Sequence, residues 1–212
     1  MSARSDGPGP KRGYHHGNLR EALIEAAVRL INEKGPGGLT FADAARAAGV
    51  SSAAPYRHFR DRDALMADVA LRGFTAFGAA LASAWNGGRP EPRAAFERLG
   101  RAYLSFARTE PALFAAMFEG GLAIGDYPEV RQAADAAYEV LRAACVEIAA
   151  LCPEGHRPPA AMMALHIWSL SHGIAALFAR GDNARRPIPM APEDLLEAAV
   201  LVYLDGLGVP RV

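Results

Sequence analysis

Residues 39–65 read LTFADAARAAGVSSAAPYRHFRDRDAL. Thr40 stands where its hydroxyl can accept a hydrogen bond from a free N–H in the first turn of a short helix. Phe41, Ala44, Ala45 and Ala48 recur at helical spacing and form a small, close-packing face. Gly49 follows, where a helix ends by entering the left-handed region that side chains resist, and Val50 plugs the corner. Ser51 or Ser52 then caps a second short helix, Ala53 to Phe59. Asp61 caps a third, much longer one. Two short helices about a tight glycine turn are the helix-turn-helix pattern, in which the second helix lies in a DNA major groove.

The whole chain has 212 residues, 51% of them apolar, enough for a small module plus a larger domain or for a single large helical unit. Net charge is zero, which alone argues against a nucleic-acid partner. The distribution of charge argues the other way. Residues 1–60 hold nine Lys and Arg against five Asp and Glu, and residues 61–212 hold fourteen against eighteen. A basic head on an acidic body suits a protein whose N-terminal end meets phosphate. Cys145 and Cys152 are the only cysteines. On one helix they would share a face two turns apart, too far to bond. There is no secretion signal and no apolar run long enough to span a membrane, so a soluble protein of a reducing cytoplasm is expected, with no membrane partner. Lys11 and Lys34 are the only lysines. With abundant Ala, Gly and Pro, that marks GC-rich coding and carries no mechanism.

The remaining punctuation is helical throughout. Residues 1–13 are rich in Gly, Pro, Ser and Arg and are expected to be disordered without a partner. Asn18 with Glu21 forms a capping box for a helix to about Lys34 that buries Leu19, Leu23, Ala26, Ala27, Leu30 and Ile31. The run from Gly35 to Gly38 stops it. The Asp61-capped helix extends to about Trp85 and ends at Asn86-Gly87-Gly88. Prolines at first-turn positions open helices at Pro92 (to about Arg108), Pro111 (to Phe118), Pro128 or Glu129 (to about Leu151), Pro158-Pro159 (to about Arg180) and Pro192 (to about Leu204). No strand pattern of useful length and no internal repeat is present. The expectation is an all-α protein of about nine helices.

Several of these residues also carry a resemblance. Leu39-Thr40-Phe41, Ala45, Ala48-Gly49-Val50-Ser51, Tyr56-Arg57-His58-Phe59, Arg62 and Leu65 resemble the signature of the TetR family of bacterial transcriptional regulators, over roughly residues 17–66. Trp168-Ser169-Leu170-Ser171-His172-Gly173 resembles the Trp…His-Gly motif of one C-terminal domain type in that family. Tyr14-His15-His16-Gly17-Asn18-Leu19-Arg20 is similar to the entry to the first helix of that subgroup. The resemblance implies a homodimeric repressor, or less often an activator, with a small-molecule pocket in its C-terminal domain. Ligand binding would change the separation of two DNA-reading heads, and the last two long helices of each subunit would form the dimer interface. It divides the chain into a basic arm (1–16), a helix-turn-helix DNA-binding domain (17–62) and a ligand-binding and dimerisation domain (63–212). The chain departs from the family pattern twice. Pro55 stands in the recognition helix where an apolar residue such as Leu is usual, at little cost in a first turn. Arg62 stands where Lys is usual; either can hold a phosphate.

Ser51, Ser52, Ala53, Ala54, Tyr56, Arg57 and His58 form the expected reading surface. Arg57 suits guanine, whose O6 and N7 its fork can bond together. Ser52 can meet a base edge or a phosphate, and Ala53 and Ala54 can touch a thymine methyl. Tyr56 and His58 suit phosphates, which fix register, as do Thr40 and Arg62. The competing reading of each is a solvated face residue, or for Tyr56 a core contact. Lys11, Arg12, His15 and His16 make a basic arm that either enters the minor groove or is a tail without energetic role. Adjacent histidines raise the question of metal, but no cysteine or carboxylate ligand is near them, so no metal is expected.

Aromatics and methionines crowd the central helices. Most must be ordinary core; some should line a cavity with a few polar groups to orient a largely apolar ligand. Phe77, Arg101, Tyr103, Phe106, Met117, Tyr138, Met162, His166, Trp168 and His172 are the candidates. Ala161, Leu165, Trp168, His172, Ala175 and Ala179 share a seam of coiled-coil spacing. Leu195, Leu196, Ala199, Val202, Tyr203 and Gly206 share another. Both seams pack either inside a monomer or across a dimer. Ser169, Ser171 and His172 lack the strand–turn–helix setting of a nucleophile. There is no P-loop, dinucleotide fingerprint or HExxH, so neither an enzyme nor a cofactor is expected. An architectural DNA-binding protein without ligand control remains as the alternative, with a helical enzyme behind it.

Overall fold

The computed structural model describes residues 19–178 and 189–210. Lys11, Arg12, His15, His16, Asn18, Ala179 and Arg180 lie outside the described residues. Thr40 and Asp61 start their helices as their side chains predict. Thr40 Oγ1 accepts from the Asp43 N–H at 3.1 Å and Asp61 Oδ1 accepts from the Ala64 N–H at 2.8 Å. The eight α-helices are α1 (Leu19–Lys34), α2 (Phe41–Ala47), α3 (Arg62–Trp85), α4 (Pro92–Thr109), α5 (Pro111–Phe118), α6 (Pro128–Ala150), α7 (Ala160–Phe178) and α8 (Pro192–Gly206). No strand occurs among the described residues.

The expected ninth helix, Ala53 to Phe59, is not a regular α-helix. Only Pro55–Arg57 winds, as a single 3-10 turn. Pro55 has no N–H to offer the Ser51 carbonyl, which accepts from Ala54 at 3.0 Å instead, and His58 bonds back three residues to Pro55 at 2.9 Å. With the i→i−4 ladder denied its first rung and only seven residues to work with, the tighter winding prevails. The turn before it follows the sequence closely. Gly49 takes φ 71°, its N–H bonds the Arg46 carbonyl at 3.1 Å, and the Val50 N–H reaches back to Ala45 at 2.9 Å. That pair of bonds is the Schellman closure.

The longest helix, α3, organises the rest. It packs against α1, α4, α5 and α6, and its buried positions Met66, Val69, Ala70, Gly73, Phe74, Phe77, Leu81 and Trp85 keep the helical period along its length. Each large side chain withdrawn this way contributes roughly 1.5–3 kcal/mol. Two glycines admit close neighbours. A Cβ on Gly73 would lie 2.7 Å from Met117 Sδ and 3.2 Å from the Leu113 carbonyl, and one on Gly78 would meet the Ala137 backbone at 3.4 Å. The core is continuous, running from Leu23, Leu39, Phe41 and Phe59 near the N-terminus through Leu65 into the larger bundle.

Two expectations are corrected here. α3 and α7 are long and apolar enough to cross a membrane, where no such run was expected. The apolarity of α3 faces four neighbouring helices, and much of that on α7 faces outward. Also, α6 stops at Ala150, so Cys152 lies past its end; both thiols are free and buried.

The chain end is tied back to the start of α4. Arg93 is only 5% exposed; its Nη1 donates to the Val209 carbonyl at 2.9 Å and its Nη2 to Asp205 Oδ1 at 2.7 Å. Removing the buried guanidinium takes a charged donor from the Val209 carbonyl and an ion pair from Asp205 at once. Arg93→Ala should therefore lower the unfolding free energy by about 3 kcal/mol, read as a lower urea midpoint at unchanged slope.

Candidate nucleic-acid interface and cavity

Ser51, Ser52, Ala53, Tyr56, Arg57 and His58 are all exposed around the Pro55 turn, and Ala54 is half-buried. Pro55 and Phe59 face inward and seat the turn on the core. Tyr56 is 64% exposed, yet its ring stands edge-on to Phe41 at 5.0 Å. Its ring therefore braces the turn while much of its surface stays accessible. Arg57 has no acidic partner among the described residues, unlike Arg46, which pairs with Asp43 at 2.9 Å. Bonding to Thr40 and the charge of Lys34 hold the Asp43 carboxyl below its ordinary range.

Arg62 does something the sequence did not predict. Its Nε donates to the Leu39 carbonyl at 3.0 Å and its Nη2 to the Pro36 carbonyl at 2.5 Å. Nη1 turns to Asp63 Oδ1 at 3.0 Å. All three guanidinium nitrogens are thus engaged, two of them pinning the α1–α2 connection to the first residue of α3. A phosphate would have to compete with those bonds. Other arginines join the same end of α3 to its surroundings. Arg20 lies 2.6 Å from Asp68 and over the Phe59 ring, Arg72 pairs with Glu21, and Arg60 donates to the Tyr127 hydroxyl at 3.2 Å while lying over that ring. Burial raises the Asp68 pKa, with the Arg20 charge opposing the shift.

A cavity of about 290 Å³ opens between α3, α4, α6 and α7. α3 supplies Phe74, Phe77 and Leu81, α4 supplies Leu99 and Tyr103, and α6 supplies Ala134, Asp135, Ala137, Tyr138 and Leu141. Phe118, Ile124 and the α7 residues Ile167, Trp168 and Ser171 complete it. Its aromatic side is organised by edge contacts, such as Phe77 on Tyr103 at 5.0 Å, and by Trp168 tilted against Tyr138 at 5.5 Å. The Tyr103 hydroxyl and His172 Nδ1 are hydrogen-bonded at 2.9 Å. Burial pushes the Tyr103 phenol up, the Trp168 indole opposing slightly. Burial likewise lowers the His172 pKa, against the nearby Glu119 charge.

Of the ten expected ligand contacts, Phe77, Tyr103, Tyr138 and Trp168 line this cavity. His172 stands one layer behind, holding Tyr103 and stacked on Phe114 at 5.6 Å. Phe106 backs Phe77 at 5.1 Å, and Met117 fills the space beside Gly73. Three lie elsewhere. Arg101 pairs on the surface with Glu197 at 3.1 Å; Met162 is exposed on α7; His166 bonds the Tyr203 hydroxyl at 3.1 Å. Arg101 and His166 are thus engaged by α8 and not by the cavity. The expected α7 seam also splits: Ala175 is buried and Trp168 and His172 half-buried, while Ala161 and Leu165 face outward. Ser171 was missed as a cavity residue because it was weighed only as a nucleophile. Its place three residues after Trp168, on the same helical face, was the available signal.

Comparison with known proteins fits this geometry. Residues 23–69 match the family described as bacterial regulatory proteins, tetR family. Residues 96–203, just over half the chain, match a tetracyclin repressor-like C-terminal domain. Among curated proteins none matches. A solved protein of unknown function from Rhodococcus sp. RHA1 is 35% identical, covering 93% of this chain and 99% of its own, with TM-score 0.75. The TetR family transcriptional regulator PfmR from Thermus thermophilus is 24% identical, covering 89% of this chain and 99% of its own, with TM-score 0.65. A bacterial regulatory protein in the tetR family from Rhodococcus RHA1 is 17% identical, covering 92% of this chain and 100% of its own, with TM-score 0.69. The last two are likenesses of fold.

The Arg62 geometry makes a prediction of its own. Arg62→Ala should destabilise the protein by about 1–3 kcal/mol, because two backbone carbonyls lose charged donors. Arg62→Lys should recover little of that, since one ammonium cannot reproduce the fork. Thermal unfolding of the two variants checks both.

Proposed function

The chain belongs to the tetR family of bacterial regulatory proteins and is a DNA-binding transcriptional regulator; from that premise we propose that it is a dimeric repressor, released from a palindromic operator by a small, largely apolar ligand. The observation that carries the ligand half of this reading is the cavity wall on α3. Phe74, Phe77 and Leu81 line the cavity on the same helix whose first residue, Arg62, clamps Leu39 and Pro36. From Arg62 to Phe74 is twelve residues, roughly 18 Å of rigid helix. A ligand that displaces those side chains tilts α3 and carries the head with it.

In this reading residues 17–62 are the DNA-binding domain and 63–212 the ligand-binding and dimerisation domain. The protein works in the cytoplasm on chromosomal DNA. Arg57 reads a guanine. Ser51, Ser52, Ala53 and Ala54 approach base edges, and Thr40, Tyr56 and His58 hold phosphates. Arg62 serves chiefly to hold the head on α3, and its loss acts through stability before it acts through phosphate binding. The dimer forms through α7 and α8. Met162, Leu165 and Leu177 stand exposed along one side of α7 and Val202 is 73% exposed on α8, an apolar face that a second copy would cover. With the cavity empty, the two reading turns sit about one DNA turn apart, roughly 34 Å. To move the equilibrium from one extreme to the other, the ligand must prefer the released state by about 5.5 kcal/mol.

Selection of bound fragments from random duplex DNA at physiological salt, where non-specific phosphate binding is already weak, should enrich a two-fold symmetric site. Arg57→Ala should then cost about 1–3 kcal/mol and relax preference at one base pair per half-site. Sequence-blind binding, or an unchanged preference in the variant, would count for an architectural role instead.

A further inference from the structure

Ser171 is 2% exposed, lines the cavity, and its hydroxyl has no hydrogen-bond partner among the described residues. The other polar groups on the wall are differently placed. Tyr103 is bonded to His172, the Trp168 indole bonds toward Tyr103, Tyr138 is only half-buried, and Asp135 sits on the rim with Arg131 3.8 Å away, both well exposed. No Arg, Lys or His lines the cavity among the described residues. A hydroxyl that opens onto a largely apolar wall, with no partner of its own, is placed to donate to a bound acceptor. A wall without a cation disfavours an ionised carboxylate or phosphate inside.

Resting on the effector reading above, we propose that the cavity selects an uncharged, multi-ring molecule carrying one hydrogen-bond acceptor, and that Ser171 donates to that acceptor as the specificity-determining contact. The rings lie among Phe77, Trp168 and Tyr138, and the acceptor points to α7. Fatty acids, acyl phosphates and other anions are rejected because nothing on the wall can neutralise their heads.

Three molecules of matched shape test this on the full-length protein: 9-fluorenone, fluorene and fluorene-9-carboxylate, each measured by equilibrium dialysis. Fluorenone should bind roughly three- to tenfold more tightly than fluorene, the net worth of one neutral hydrogen bond, and the carboxylate more weakly than either. In Ser171→Ala the ketone-to-hydrocarbon ratio should fall to near one. The ranking in the unsubstituted protein stands as a test even if the variant misfolds. Equal binding of ketone and hydrocarbon would overturn the Ser171 assignment. A carboxylate that bound as tightly as the ketone would overturn the charge selection, and no binding by any of the three would overturn the ligand class. Release of operator DNA, measured separately, tests the regulator reading. A ligand ranked as expected that left DNA affinity unchanged would sink that reading and leave the selectivity intact.

Discussion

The close burial of α3 between four other helices is the constraint from which the remaining architecture follows. A 24-residue helix held on so many sides is a single stiff element, and in the mechanism proposed above a push on its middle is passed to its start. Gly73 lets α5 approach within contact of its backbone, and the period of Phe74, Phe77 and Leu81 turns one face to the cavity. The first turn meanwhile belongs to the small N-terminal unit through Asp61, Arg62 and Leu65. Cavity and head are therefore two ends of one rigid element, and no separate relay between them is required.

Arginine is the second organising device, and its use is specific. Arg62 ties α3 to the α1–α2 connection. Arg93 ties α4 to the chain end, and Arg98 on α4 reaches the Ala84 carbonyl in the last turn of α3. In each case a planar, permanently charged fork bonds backbone carbonyls near the joins between helices: Leu39 and Pro36 in a connection, Val209 past the end of α8, Ala84 in the last turn of α3. These are joints between elements, and the helices themselves depend on apolar packing. With Lys11 and Lys34 the only lysines, nearly every basic side chain in the protein is the group best suited to such joints.

Most of the fold was legible because its punctuation is local. Thr40, Gly49, Asp61, Pro92, Pro111, Pro128 and Pro192 act on bonds within a few residues of themselves, and the helix bounds fall at or next to the expected ones. Pro55 was the local signal misjudged: its lost N–H was counted as harmless in a first turn, but in a seven-residue stretch the first turn is most of the helix. The cavity was legible only in part. Helical spacing says which residues share a face, but not which face meets which helix. Phe77, Tyr103, Tyr138 and Trp168 were therefore found, and Arg101, Met162 and His166 were assigned to the wrong side. What Arg62 bonds could not be read at all, because its partners are backbone carbonyls more than twenty residues away.

Cys145 and Cys152 are both buried. Burial alone pushes the Cys145 thiol up to about 12, and it raises Cys152 as well, with only Arg157 pulling the other way. Oxidants and electrophiles attack the thiolate, and at neutral pH neither sulfur offers one in any quantity. The two thiols are thus placed as packing groups and not as nucleophiles: sealed in the core and held protonated, they give a peroxide or a reactive carbonyl little to attack.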